Sequence, residues 1–173
     1  MEARDFLLRQ LGTAWALARY HLNGLETEEM LWRPASRGMH VWKRADGQWR
    51  ADWPEHEGYE LGPASIAWIT WHMIFWWSML LDHTFGPATL ERERVTWPGD
   101  ADGVRERLLR LHDEWRISIE RLSADELSSR SRTRWPFQER PFGDVVAWAN
   151  VELVKNASEI GYARFVYAMR DAR

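Results

Sequence analysis

Residues 61–81, LGPASIAWITWHMIFWWSMLL, form the most apolar stretch of this chain and decide its fold. No Asp, Glu, Lys or Arg occurs within it. It is about long enough to span a bilayer, but it contains His72, and its flanks are acidic and lack a basic anchor. A helix at the centre of a helical protein explains the same pattern. We therefore predict a buried helix from Pro63 to about His83 and no membrane span.

The segments on either side of this stretch have the three- and four-residue apolar periodicity of amphipathic helices. This periodicity predicts a first helix from about Asp5 to Leu22 and a third helix, capped by Asp102, that ends near Leu122. A fourth helix is expected from Phe142 or Asp144 to Met169.

The connections between these helices carry turn signals. Residues 41–43 and 48–50 flank Ala45-Asp46-Gly47, and Asp-Gly is a strong hairpin signal. Trp-Pro pairs at 53–54, 97–98 and 135–136 are irregularly spaced, so we expect their bulky rings to pin the connections onto the helices. The sequence thus predicts an all-α fold, a single domain over residues 1–173. It is a four-helix bundle with long crossover connections and a small β-hairpin between the first two long helices.

Composition excludes several classes of function. The 173 residues are 45% apolar and 28% charged, as in ordinary globular domains. The net charge is −3 without a Lys/Arg cluster, so no nucleic-acid partner is expected. The absence of cysteine excludes disulfides, a Cys nucleophile and a thiolate metal site. Residues 1–5 mix acidic and basic side chains without an apolar signal core, which predicts a cytoplasmic location.

His72 is the first candidate for chemistry. Trp68, Trp76 and Met79 lie on the same side of the predicted second helix at helical spacing. We predict that these three residues and His112 line a pocket around the imidazole. A histidine alone in such surroundings is more often a satisfied core residue than a ligand.

The last helix supplies a second candidate group. Glu152, Asn156 and Glu159 follow i, i+4, i+7 spacing, with Lys155 beside them. In one interpretation this stripe is solvated and each glutamate pairs with Lys155. In the other it faces a cleft opposite His72, where carboxylate, amide oxygen and imidazole bind a divalent cation such as Zn, Ni, Mn or Mg. Helical bundles commonly build metal sites in this way.

Three segments resemble the DinB-like (YfiT-like) superfamily of four-helix bundles. They are EEMLWRP at 28–34, SIAWITWH at 65–72 and WANVELVKNASEIG at 148–161. The resemblance covers nearly the whole chain and the order of its elements. Each segment alone is moderately specific, and the three together are fairly specific.

The resemblance implies a metal site with unusual ligands. Family members typically hold a divalent metal with three histidines, one on the second helix and two, four residues apart, on the fourth. His72 matches the first ligand, whereas Glu152 and Asn156 occupy the other two positions and Glu159 falls where a glutamine often follows. The resemblance therefore implies one divalent ion on His72, Glu152 and Asn156, with Glu159 as a candidate base. A His-Glu-Asn set is a weaker and harder site, more tolerant of Mn or Mg, and an empty site is the alternative.

The same resemblance suggests what the protein does. Related members include transferases and isomerases that depend on mycothiol, bacillithiol or glutathione. Without a cysteine in the chain, any thiolate has to come from such a cosubstrate, activated by the metal. We therefore expect a metal-dependent enzyme, a low-molecular-weight-thiol S-transferase or a hydrolase, that acts on a small molecule and forms a homodimer. The alternatives are a metal-free bundle that binds a small ligand or a partner helix, and a purely structural bundle.

Overall fold

A computed structural model of the chain describes residues 3–56 and 58–171. These residues are mostly helical and contain one two-stranded sheet, which confirms the all-α class. The helices are α1 Ala3–Leu22, α2 Thr27–Leu31, α3 Ile66–Phe85, α4 Ala101–Glu120, α5 Ala124–Ser128 and α6 Phe142–Ala168. The strands are β1 Val41–Lys43 and β2 Trp49–Ala51.

Each of the long helices α1, α3, α4 and α6 packs on two of the others, so the four helices form a closed ring of contacts. Helix α1 packs on α6 and α4, and α3 packs on α4 and α6. Helix α3, which contains most of the apolar stretch, has 16 of its 20 residues buried, so it forms the centre of the core. In the described part of the chain, no helix has the length and apolarity needed to cross a membrane.

Helix α4 shows how periodicity sets this packing. Most of its apolar residues recur every three or four positions on one buried face, while charged residues and the exposed Leu109 and Ile117 occupy the other face. The buried stripe consists of Val104, Leu108, Leu111, Trp115 and Ile119. The predicted stripe of the third long helix is therefore confirmed.

The starts of α3 and α4 differ from the sequence prediction because side-chain caps decide them. The Ser65 hydroxyl accepts a hydrogen bond from the Trp68 backbone N–H at 3.2 Å, and α3 begins directly after Ser65, three residues beyond Pro63. The Asp100 carboxylate caps α4 with a bond of 2.7 Å to a first-turn N–H, so the cap is Asp100 and not Asp102. An N-cap needs a side-chain oxygen at the position before the first turn, and these two residues supply it.

The predicted hairpin lies between α2 and α3. Strands β1 and β2 are antiparallel, with Val41 opposite Ala51 and Lys43 opposite Trp49. The turn is closed by a bond of 2.8 Å from the backbone N–H at position 44 to the carbonyl at position 48. Gly47 has a positive φ of 83°, which glycine adopts without steric cost. The Asp-Gly signal is confirmed.

The tryptophans of the three Trp-Pro pairs attach the connections to α3, as predicted. Trp97 is buried, and its Nε1 donates a hydrogen bond of 3.1 Å to the Thr70 hydroxyl. Trp53 and Trp135 pack edge-on against Phe75 at centroid distances of 5.3 and 5.8 Å. These contacts hold the excursions before and after α3 close to its buried surface.

Candidate functional site

Helices α3 and α6 bring the two predicted groups into contact. His72 lies near the middle of α3, with Trp68 and Trp76 one turn before and after it. Asn156 lies on α6, is buried, and contacts the His72 ring. We call His72, Trp76, Asn156 and Glu159 the His72 cluster.

Asn156 is the residue that orders this cluster. Its Oδ1 accepts a hydrogen bond of 3.1 Å from Trp76 Nε1, and its Nδ2 donates one of 2.9 Å to Glu159 Oε2. An indole N–H can only donate and a carboxylate can only accept, so the partners fix which end of the amide faces each of them. The α6 residue predicted as a metal ligand thus joins α3 to the carboxylate of Glu159.

His72 is held in its neutral form. Burial is the main cause that lowers its pKa to about 4, and the Lys155 ammonium lowers it further, while the contact with Asn156 acts in the opposite direction. The ring stacks on Trp68 with a centroid distance of 5.1 Å and an interplanar angle of 6°. Its Nδ1 is buried without a hydrogen-bond partner among the described residues. At neutral pH the imidazole therefore offers an uncharged ring with one unsatisfied nitrogen.

Glu152 has a different environment from Asn156. Its Oε2 lies 2.7 Å from Lys155 Nζ, and the glutamate side chain is largely buried whereas that of the lysine is about half exposed. The stripe is therefore divided between the ion pair and the cleft contact that the sequence left open. Glu152 pairs with Lys155, but Glu159 is bonded to Asn156 instead.

The donor set does not fit a closed metal centre as it stands. Within residues 3–56 and 58–171, no group of three His, Asp, Glu or Cys side chains is placed to hold a metal ion. The unpartnered His72 Nδ1 suits a metal ligand. However, Glu152 Oε2, although it makes no hydrogen bond within the described residues, lies 2.7 Å from the Lys155 ammonium, and the Asn156 oxygen already accepts from an indole. A cation at this point would have to displace Lys155 from Glu152.

A pocket of about 510 Å³ adjoins the His72 cluster between α3, α6 and the segment after α2. Its walls are mostly apolar. Trp68, which stacks on His72, also lines this pocket, and Glu159 is its acidic residue. Other lining residues include Met39, Ile69, Tyr162 and Val166. The cluster and the pocket therefore meet at Trp68 and Glu159.

Two glycines allow the backbone segments at this pocket to approach closely. A Cβ on Gly38 would lie 2.1 Å from the Pro63 carbonyl oxygen, and one on Gly62 would lie 2.8 Å from the Arg37 carbonyl oxygen. Both glycines have positive φ, 147° and 78°. Any larger residue at either position would push the segment after α2 away from the start of α3.

The other predicted pocket residues lie elsewhere. Trp76 and Met79 are buried in the core of α3. His112 lies on α4. Its ring stacks on Trp15 with a centroid distance of 4.4 Å and packs edge-on against Trp77 with a centroid distance of 6.1 Å. Of the predicted pocket residues, Trp68 is the one that lines the pocket in the described part of the chain.

The arrangement offers hydrogen-bond acceptors beside an apolar surface. The Glu159 carboxylate is fixed by Asn156 and accepts hydrogen bonds at the pocket. The described residues that line the pocket do not include His72, and its Nδ1 is buried, so this nitrogen is not offered to a ligand there. A ligand with an apolar body and a hydroxyl, amine or amide donor matches these groups.

Comparison with known families agrees with the fold and with the three segments. The chain belongs to the DinB superfamily, whose family model matches residues 10–160. No curated protein and no solved structure gave a significant match.

Proposed function

We propose that this DinB-superfamily member binds a small, mostly apolar molecule in the pocket between α3 and α6, without a metal ion. The observation that carries this proposal is the position of Glu159, which lines the apolar pocket and is linked through Asn156 to Trp76. A volume of about 510 Å³ falls in the range of small-molecule sites. Apolar walls with a few fixed polar groups are also typical of such sites.

The polar end of the ligand faces Glu159 in this proposal. A carboxylate accepts hydrogen bonds, so the ligand presents a hydroxyl, an amine or an amide N–H there. Trp68 supplies an aromatic face beside it. We therefore expect ligands that combine a hydrocarbon or aromatic body with one donor group.

The proposal can be tested by filling the pocket. Val166 lines it, and Val166→Trp should occupy much of its volume. The neutral dye Nile red has no donor group and therefore probes the apolar walls alone. It should bind the unmodified protein saturably, and this variant should abolish binding. Leu109→Trp is the control, because Leu109 is exposed on α4 and lies outside the pocket. Equal Nile red binding by all three proteins would contradict the proposal.

A metal-dependent transferase or hydrolase is the second candidate, as the superfamily resemblance implies. The unpartnered Nδ1 of His72 supports it. In that case His72, Glu152 and Asn156 would hold one Zn, Ni, Mn or Mg ion, which would supply Lewis-acid activation for a thiol cosubstrate or a water molecule.

Metal content separates the two candidates. Protein purified without an affinity tag is analysed for bound metal and titrated with Zn, Ni and Mn. The first proposal predicts no stoichiometric metal and no difference between the unmodified protein and His72→Ala. About one ion per chain that His72→Ala removes would establish the second candidate instead.

We also propose that the four long helices form the crossover bundle of the DinB type. The closed order of contacts among α1, α3, α4 and α6 supports this interpretation. So do the long connections that precede and follow α3. A cytoplasmic location stays a prediction from the sequence.

A homodimer through α6 is a further part of the proposal. Several large apolar side chains on α6 are exposed and lie three, four or eight residues apart, which places them on one face of the helix. They are Val151, Val154, Tyr162, Phe165 and Met169. A second copy is the occupant we propose, because an isologous contact buries the same stripe on both chains.

A further inference from the structure

A groove between α3 and α4 lies apart from the His72 cluster. Two adjoining depressions, each of about 350 Å³, share Ser78, Leu90 and Arg107 and form this groove. Its walls come from the second half of α3, from α4 and from the segment between them. Ser78 is six residues beyond His72 on α3 and therefore faces α4 and not α6.

Three arginines that line the groove form no ion pair with any residue that the structure describes. Arg94, Arg107 and Arg110 all border the first depression. The ion pairs of α4 join Arg105 to Asp102 and Arg116 to Glu120, and in the preceding turn Glu93 pairs with Arg92. None of these ion pairs includes Arg94, Arg107 or Arg110. Glu106 is the acidic residue that lines the first depression, so positive charge is in excess there in a chain whose net charge is −3. Asp82 and Glu114 line the second depression, where no such excess exists.

Ser78 provides an independent indication of a ligand. Its side chain is only 7% exposed, and its Oγ has no hydrogen-bond partner among the described residues. A serine within a helix usually bonds to a carbonyl of the preceding turn, and leaving a buried hydroxyl unsatisfied is unfavourable. Ser78 borders both depressions, so its unsatisfied hydroxyl lies next to the space that a bound molecule would occupy.

We propose that the first depression of this groove, lined by Arg94, Arg107 and Arg110, binds a small anion through its phosphate group. Guanidinium groups form strong, charge-assisted hydrogen bonds with phosphate oxygens. A phosphate offers enough charge and enough acceptor oxygens for three arginines and a hydroxyl, whereas one carboxylate does not. The site is separate from the pocket that contains Glu159, and it does not depend on the function proposed for that pocket.

Calorimetric titration with pyrophosphate, at constant ionic strength, tests the arginines. The unmodified protein should bind pyrophosphate saturably at one site. The double variant Arg107→Gln/Arg110→Gln should bind it at least about 10-fold more weakly, since hydrogen bonds to charged groups contribute this much or more. Arg121→Gln is the matched control, because this exposed arginine at the end of α4 lies outside the groove, and its affinity should be unchanged.

Ser78→Ala tests the hydroxyl separately from folding. The variant should bind pyrophosphate about 10-fold more weakly but unfold at the same or a higher temperature, because it removes an unsatisfied buried group. Three results would overturn the proposal: no saturable binding by the unmodified protein, equal weakening by Arg121→Gln, or equally tight binding of succinate and citrate. The last result would assign the groove to carboxylates.

Discussion

Trp76 Nε1 on α3 donates a hydrogen bond of 3.1 Å to Asn156 Oδ1 on α6, and both residues are buried. The same amide donates to Glu159 at 2.9 Å. One side chain thus satisfies a buried indole and fixes a carboxylate at the edge of the pocket. The relationship joins helix packing to the proposed ligand site, so changes to Asn156 should affect both.

Asn156→Asp should destabilise the protein by about 1–3 kcal/mol. The substitution removes the amide that donates to Glu159 and places a second carboxylate beside it. Urea denaturation measures the change in the free energy of unfolding. Asn23→Asp is the control, because Asn23 is exposed and its substitution should cost a few tenths of a kcal/mol. Equal stability of the two variants would contradict the role of Asn156.

The depressed pKa of His72 predicts a pH dependence of stability. Its folded-state pKa of about 4 lies below the ordinary value of 6.5. As the pH falls from 6.5 to 4, the unfolded chain takes up a proton and the folded chain does not, so stability decreases across this window. The decrease due to His72 is about 3 kcal/mol at most. His72→Gln should therefore lose less stability between pH 6.5 and 4 than the unmodified protein.

NMR titration of the His72 ring checks the same prediction directly. The Lys155 ammonium contributes to the low pKa, so Lys155→Ala should raise it. Lys43→Ala should leave the His72 pKa unchanged, because Lys43 is exposed at the end of β1. A His72 pKa near 6.5 in the unmodified protein would disprove the prediction.

Much of the fold could be predicted from the sequence because it depends on local patterns. The charge-free stretch correctly predicted α3, and the apolar periodicity correctly predicted α1 and α4. Asp46-Gly47 correctly predicted the hairpin turn. The start of α4 was wrong by two residues because Asp100 and Asp102 are equally good caps in sequence. Only the fold shows which of the two carboxylates reaches the first-turn N–H.

The site was harder to predict because its partners are distant in the chain. Helical spacing placed Glu152, Asn156 and Glu159 on one stripe, but it could not distinguish the ion pair with Lys155 from the hydrogen bond to Trp76. The pocket wall formed by the segment after α2 depends on a tertiary contact. The segment EEMLWRP at 28–34 ends at Pro34, which lines the pocket, but its sequence does not specify which side chains face the pocket.

Gly38 and Gly12 provide a paired test of the contact at the pocket. Gly38→Ala places a Cβ 2.1 Å from the Pro63 carbonyl oxygen at a φ of 147°. It should cost about 1–3 kcal/mol and weaken Nile red binding. Gly12→Ala lies in α1 with open space around it and should stabilise the protein by up to about 1 kcal/mol. Thermal unfolding of both variants measures the difference, and stabilisation by Gly38→Ala would contradict the tight contact.

Phe165→Glu tests the proposed dimer. Phe165 is 75% exposed at the centre of the apolar stripe on α6, so a charge there should be tolerated by the fold but not by an apolar interface. Light scattering coupled to size-exclusion chromatography should give a dimer for the unmodified chain and a monomer for the variant. Leu109→Glu is the matched control, because Leu109 is 49% exposed on α4, away from the stripe, and this variant should remain dimeric. A monomeric unmodified chain at micromolar concentration would rule the interface out. Dissociation of the dimer by Leu109→Glu would instead indicate that the interface includes α4.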